Sequence, residues 1–152
     1  MPALTAIIQT HNDALRIARA IESLRPCDEV LVIDHGSSDE TCRVAREFGA
    51  RVIAASGSPT EGFLREARHD WFFRLLPTES LSETLEASLH EWKMEDKTRA
   101  SPDMVYAVGI TEETEGGWVT HTPEVRLTHR QRAASAAETC ILEGHLLRLR
   151  LP

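Results

Sequence analysis

The sequence predicts an α/β fold with a mostly parallel sheet flanked by helices, and three observations predict it. Short apolar runs recur at residues 4–8, 29–34 and 51–55. Helical periodicity fills the two intervals between them, and each interval closes on a helix-stopping residue, Pro26 and then Gly49. Strand, helix, strand, helix, strand before Ser56 is the pattern of right-handed βαβ crossovers, which build parallel sheets.

Each element follows from local chemistry. Residues 4–8 are apolar enough for a buried strand, and Gln9, Thr10, His11, Asn12 and Asp13 after them are polar and turn-forming. From Asp13 onward Leu15, Ile17, Ala18, Ile21 and Leu24 recur at spacings of a helix face, with Asn12 as the expected N-cap. The apolar run 30–33 delivers Asp34 to the carboxyl end of a parallel strand, where open α/β sheets bind ligands. Gly36 permits a tight turn, Asp39 is placed to cap a helix over 38–48, and Gly49 ends that helix as its C′ residue. Residues 56–62 read as a loop, 63–68 as a short helical piece and 71–76 as a fourth strand. Ser80 and Glu83 are spaced as a capping box, ahead of a helix whose Leu81, Leu85, Leu89 and Trp92 form one apolar stripe. Segments 104–111 and 118–122 then flank the polar stretch 112–117 as a hairpin, and 125–129 and 142–151 read as further short strands. A single domain is expected over 1–152, with a βα half at 1–98 and a β-rich remainder at 99–152.

Composition narrows the function. A formal net charge of −7 argues against general phosphate-backbone binding, with Arg148 and Arg150 a local exception, so nucleic acid is not an expected partner. No apolar run is long enough to span a membrane and no secretory signal pattern opens the chain, which points to a cytoplasmic location. Cys27, Cys42 and Cys140 are odd in number and lack metal-ligand spacing, and are expected as reduced thiols. No Gly-x-Gly-x-x-Gly follows the first strand, which argues against a dinucleotide-dependent oxidoreductase.

Three segments carry a family resemblance. Residues 4–12 resemble the first strand and Pro-Thr-Tyr-Asn exit of family 2 glycosyltransferases, with Gln9, Thr10, His11 and Asn12 in the exit positions. Asp34-His35-Gly36-Ser37-Ser38-Asp39-Glu40-Thr41 resembles their Asp-x-Gly-Ser-x-Asp-x-Thr signature. Asp70-Trp71-Phe72-Phe73-Arg74-Leu75 resembles the strand that leads into their Asp-Ala-Asp-Glu metal motif. The likeness is to the nucleotide-binding half of the GT-A type, and to its bacterial lipopolysaccharide-core-like branch in particular. It implies a Rossmann-like, GT-A-like nucleotide-diphospho-sugar transferase fold, with the β-rich C-terminal segment as an acceptor-side remnant.

The resemblance also implies a site. Thr10, Asn12 and Asp13 would line the base and ribose of a nucleotide sugar, UDP-linked by expectation, beside Gly36 and Ser37. Asp34 would accept the imide N–H of uracil, a pairing that excludes bases presenting only acceptors there. Arg65 or Arg68 would contact the diphosphate, unless both lie on a solvated helix face beside Glu61 and Glu66. Aligned without gaps, Leu76 and Thr78 replace both metal-ligating aspartates and only Glu79 is retained. Leu76 cannot coordinate a hard cation, so no metal cofactor is expected and a role for Mg²⁺ or Mn²⁺ is doubtful. The catalytic base stays open among Glu112, Glu113, Glu115 and Glu124. Two functions follow from different classes. One is an inverting, metal-independent or weakly metal-dependent transferase acting on a saccharide or cell-envelope acceptor. The other is a catalytically inactive nucleotide-binding or scaffold relative. A shortened form of a larger fold leaves apolar surface uncovered, which suggests a homodimer.

Overall fold

A computed structural model describes residues 2–55, 64–95, 103–131 and 138–150. Its strands are β1 (Leu4–Thr10), β2 (Glu29–Asp34), β3 (Arg51–Ala54), β4 (Trp71–Leu75), β5 (Glu79–Leu81), β6 (Met104–Thr114), β7 (Gly117–His129) and β8 (Glu138–Arg148). They form one sheet in the order β3-β2-β1-β4-β7-β6-β8-β5. The helices are α1 (Ile17–Glu22), α2 (Thr41–Glu47) and α3 (Glu83–Met94), with a 3-10 turn at Leu64–Glu66. The fold is the expected α/β one: β1 pairs in parallel with β2 and β4, and β2 with β3. The β-rich remainder continues the same sheet through β7, antiparallel to β4. The expected loop at 56–62 and the first residue of the helical piece at 63–68 lie outside the described residues.

Side-chain alternation sends Leu4, Ala6 and Ile8 of β1 to a large core shared with α1, α3 and the later strands. Ile7, Leu31, Ile33 and Phe72 line the other face, where Ala67 and Leu64 cover them. Arg130 holds that cover down: its guanidinium donates to the carbonyls of Leu64, Ala67 and His69 and lies 5.1 Å from the Phe72 ring centroid. On the main face Trp71 meets Trp92 edge-on at 5.0 Å and Tyr106 at 6.2 Å, which joins α3 to β4 and β6.

The second half of the sheet curls. Three residues join β4, in the middle of the sheet, to β5 at its far edge. A chain advances at most about 3.6 Å per residue, so Leu75 and Glu79 lie within about 14 Å. Four flat strand spacings would need about 19 Å, so β7, β6 and β8 must bend β5 back toward the end of β4.

Several boundaries differ from expectation for physical reasons. Asn12 does not cap α1: it adopts a left-handed φ of 55° and its side chain accepts from Ser38 N, so the helix starts at Ile17. α2 starts at Thr41 rather than Ser38 because Asp39 binds the Thr41 amide at 3.0 Å. Gly49 is the expected C′ residue, with φ 92°, and the Gly49 and Ala50 amides close a Schellman pair onto Arg46 and Ala45. Ser80 belongs to β5, and the cap of α3 is Ser82, which accepts from Leu85 N at 3.2 Å and from His145 N at 3.1 Å. Replacing Ser82 with alanine is expected to cost about 1–2 kcal/mol in a urea titration, from the lost cap. β7 runs unbroken through Pro123, because the register with β6 shifts between Val108 and Ile110 and leaves no ladder bond for a proline to break. β8 begins at Glu138 and ends at Arg148, earlier than the expected 142–151.

All three cysteines are free thiols. Burial, followed by the neighbouring Asp28 charge, pushes the Cys27 pKa up to about 12. No helix among the described residues is long and apolar enough to cross a membrane.

Candidate functional site

Parallel strands bring two loops side by side, because Thr10 at the end of β1 is in register with Asp34 at the end of β2. The loops are laced together. His11 Nδ1 lies 2.8 Å from the His35 carbonyl, Asn12 N donates to Ser37 Oγ at 2.9 Å, and Ser38 N donates to Asn12 Oδ1 at 2.8 Å. Asp13 N donates to Thr41 Oγ1 at 2.8 Å, and Ala14 N to Asp39 at 3.3 Å. Asn12 and Gly36, with φ values of 55° and 76°, supply the left-handed turns that this arrangement needs.

The structure groups the sequence-predicted residues into three sets. Asp34, Gly36, Ser37 and Asn12 meet at the β2 exit. Asp34 is 9% exposed as a residue, and its carboxylate accepts from the Ser37 hydroxyl at 2.5 Å and the Ser37 amide at 3.1 Å. Burial disfavours its charge, but these bonds, the Cys42 thiol and the Gly36 amide hold its pKa below the usual aspartate value. Thr10 and Asp13 form a buried pair: Thr10 Oγ1 donates to Asp13 at 2.6 Å, and Arg16 binds the other carboxylate oxygen at 2.5 Å. Their side chains thus fix the loop from beneath. Arg68 is placed elsewhere. It pairs with Glu29 at 3.4 Å, at the opposite end of β2 from Asp34, roughly 17 Å away along a strand of six residues. Arg65 lines a neighbouring cavity with Phe72, Arg74 and His129.

A cavity of roughly 370 Å³ opens where the strand order reverses, β1 having β2 on one side and β4 on the other. This is the position at which open α/β sheets take ligands. Gln9, Ile33 and Leu76 line it, together with three arginines, Arg74, Arg126 and Arg148. Of the four glutamates left open as a base, Glu124 lines this cavity. Glu112 is held by His121 at 2.8 Å, and Glu113 and Glu115 are held by Arg150.

Sequence reasoning missed Arg74 and Arg126 as site residues, and did not link Arg148 to Glu79. Glu79 is fully buried. Its Oε1 accepts from Arg126 Nη1 at 2.7 Å and Leu76 N at 2.9 Å, and its Oε2 from Arg126 Nη2 at 2.9 Å and Arg148 Nη2 at 3.0 Å. Burial opposes its ionisation, yet the bidentate Arg126 pair holds the carboxyl below its ordinary pKa. The only sequence signal was an arginine in the apolar run Val125-Arg126-Leu127, which asks for a buried partner.

This geometry does not fit a divalent cation at the end of β4. The Leu76 side chain offers no oxygen, its carbonyl already accepts from Glu79 N, and both oxygens of Glu79 are engaged by cations. Among the described residues no three histidine, cysteine, aspartate or glutamate side chains converge as a metal cluster.

No family model matches the chain. A Rickettsia felis protein named "Uncharacterized glycosyltransferase" is 36% identical over 94 residues, covering 57% of this chain and 32% of the relative. The 4,4'-diaponeurosporenoate glycosyltransferase of Staphylococcus aureus is 46% identical over 55 residues, 34% of this chain and 14% of that protein. The chain therefore spans about a third or less of the length of these curated relatives. The crystal structure of S. aureus TarS 1-349 superposes with a TM-score of 0.59 at 17% identity, covering 72% of this chain and 36% of that one. Sheet order and this superposition define an α/β fold shared with that structure. The chain is thus similar to these glycosyltransferases over 57% and 34% of its length.

Proposed function

We propose that the chain is a glycosyltransferase that binds a nucleotide sugar, UDP-linked, at the ends of β1, β2 and β4 and passes the sugar to a saccharide or cell-envelope acceptor with inversion. One observation carries the reading: the laced β1 and β2 exits stand beside a guanidinium-lined cavity at the switch point of a glycosyltransferase-like sheet. The base and ribose rest on the crest formed by Asn12, Gly36 and Ser37, with Asp34 accepting the uracil imide N–H, and Thr10 and Asp13 hold that crest in place. The phosphates and sugar enter the cavity, and Glu124 on its wall takes the acceptor proton.

Calorimetric titration with UDP and GDP tests the nucleotide. Asp34→Ala is expected to weaken UDP binding by about 1–3 kcal/mol, the cost of leaving a buried donor without its acceptor. An unchanged affinity would remove Asp34 from the site. ³¹P NMR of a UDP-sugar incubated with the protein and candidate acceptors tests the transfer.

A second reading, a nucleotide-binding relative without catalysis, is favoured by the complete engagement of Glu79. Nucleotide binding with no UDP release in any acceptor screen would select it. The homodimer would cover the exposed Trp118, Val119 and Ile141, and sedimentation velocity tests that proposal.

A further inference from the structure

The fold family's need for countercharge at a diphosphate remains when the aspartates are gone, and the cavity walls hold the material for it. Arg74, Arg126, Arg148 and Glu124 line the cavity, and Arg126 and Arg148 both bind the buried Glu79. Arg126 spends its donors on Glu79, on Glu124 at 2.9 and 3.2 Å, and on the Arg74 carbonyl at 3.1 Å. It is a fixed support. Arg148 touches Glu79 through Nε and Nη2, while its Nη1 comes no nearer than 4.0 Å to Glu112. Arg148 is therefore held on Glu79 by one edge, with Nη1 toward Glu112, and its side chain lines the cavity. Arg74 is exposed on the same face of β4. Guanidinium forks match pairs of phosphate oxygens, and a fixed one stabilises charge without a metal's hydration cost.

Building on the nucleotide-sugar reading above, we propose that this cavity receives its phosphates without a divalent cation, Arg148 and Arg74 supplying the countercharge that the family draws from a metal. Glu79 and Arg126 act as positioning residues that aim Arg148. Glu79 thus serves as a guanidinium anchor where the aligned family position belongs to a metal motif.

The test is calorimetry on the full chain with UDP and with inorganic pyrophosphate, each in EDTA and in Mn²⁺. Both anions are expected to bind in EDTA, with Mn²⁺ changing the UDP affinity less than about threefold. Arg148→Met and Arg74→Met are each expected to weaken both anions tenfold or more, with Arg148→Lys retaining part of the affinity. Thermal melts of the variants report folding, and Arg74→Met, on an exposed side chain, keeps the test open if Arg148→Met unfolds. Pyrophosphate binding in EDTA that depends on both arginines, with UDP no tighter, would uphold the metal-free anion site and defeat the nucleotide reading. UDP binding that appears only with Mn²⁺, or rises tenfold with it, would overturn the inference and leave the nucleotide reading standing. Anion binding unaffected by either Met substitution, or no binding of either anion in EDTA, would also overturn it.

Discussion

Glu79→Ala is expected to cost about 3–5 kcal/mol of folding stability, enough to lower the thermal midpoint by many degrees or prevent folding altogether. Removing one partner of a buried ion pair leaves the other charged and less well compensated, and here two guanidiniums each lose their buried acceptor. Arg126 suffers most, because its side chain is only 8% exposed. The loss is also local: Leu76 N gives up its 2.9 Å bond, so the turn between β4 and β5 opens. Glu79→Gln keeps the shape but cannot offer two anionic oxygens to Arg126, and it should fall between wild type and alanine. The pH dependence has a definite sign. Because the folded-state pKa is depressed, the stabilisation is complete above the ordinary glutamate value of 4.5 and fades as pH falls through the lower folded value. Acid titrations by circular dichroism should show wild type losing stability more steeply than Glu79→Gln below about pH 4.5.

Gly144→Ala should be nearly as damaging, at roughly 2–4 kcal/mol from backbone strain plus overpacking. Gly144 adopts a φ of 98°, and a Cβ there would lie 2.4 Å from Leu85 N and 2.7 Å from Leu85 Cα. Both are backbone atoms at the start of α3, so no rotamer change relieves the clash. The glycine sits where the β6–β8 register jumps, from Val108 opposite Leu142 to Gly109 opposite His145, and this jump lets β8 pass over the first turn of α3. Gly116→Ala, where a Cβ meets nothing within 4 Å, is the control and should stay within about 0.5 kcal/mol in a denaturant titration.

The contrast between these residues shows what a sequence can disclose. β2 was legible to its last residue, since four apolar side chains followed by an acidic turn have one economical solution. Gly49 was legible because its helix ends in a motif written within a few residues. Gln9 through Asp13 were recognisable as a strand exit, yet their partners across the β2 loop depend on register between strands 24 or more residues apart. Ser82 was missed in favour of Ser80 because the segment 79–81 is too short to announce a strand, and its ladder partner β8 lies far along the chain. Glu79, Arg126 and Arg148 were the least legible. Nothing local pairs residues 47 and 69 positions apart, and only the curl of the sheet brings them together. The arginines beside Glu79 became visible only once the strands were in place.

The backward bend of β5 has a consequence for biosynthesis. As the polypeptide leaves the ribosome, β1, β2 and β3 can associate almost as soon as they emerge, because each pairs with a strand one crossover away. β5 pairs with β8 at Glu79–Arg148, Ser80–Leu147 and Leu81–Leu146, so it must idle until those distant residues are translated, several seconds at about 5–20 residues per second. Throughout that delay the Glu79 carboxylate stays hydrated, and it is dried only when the last strand slides into place.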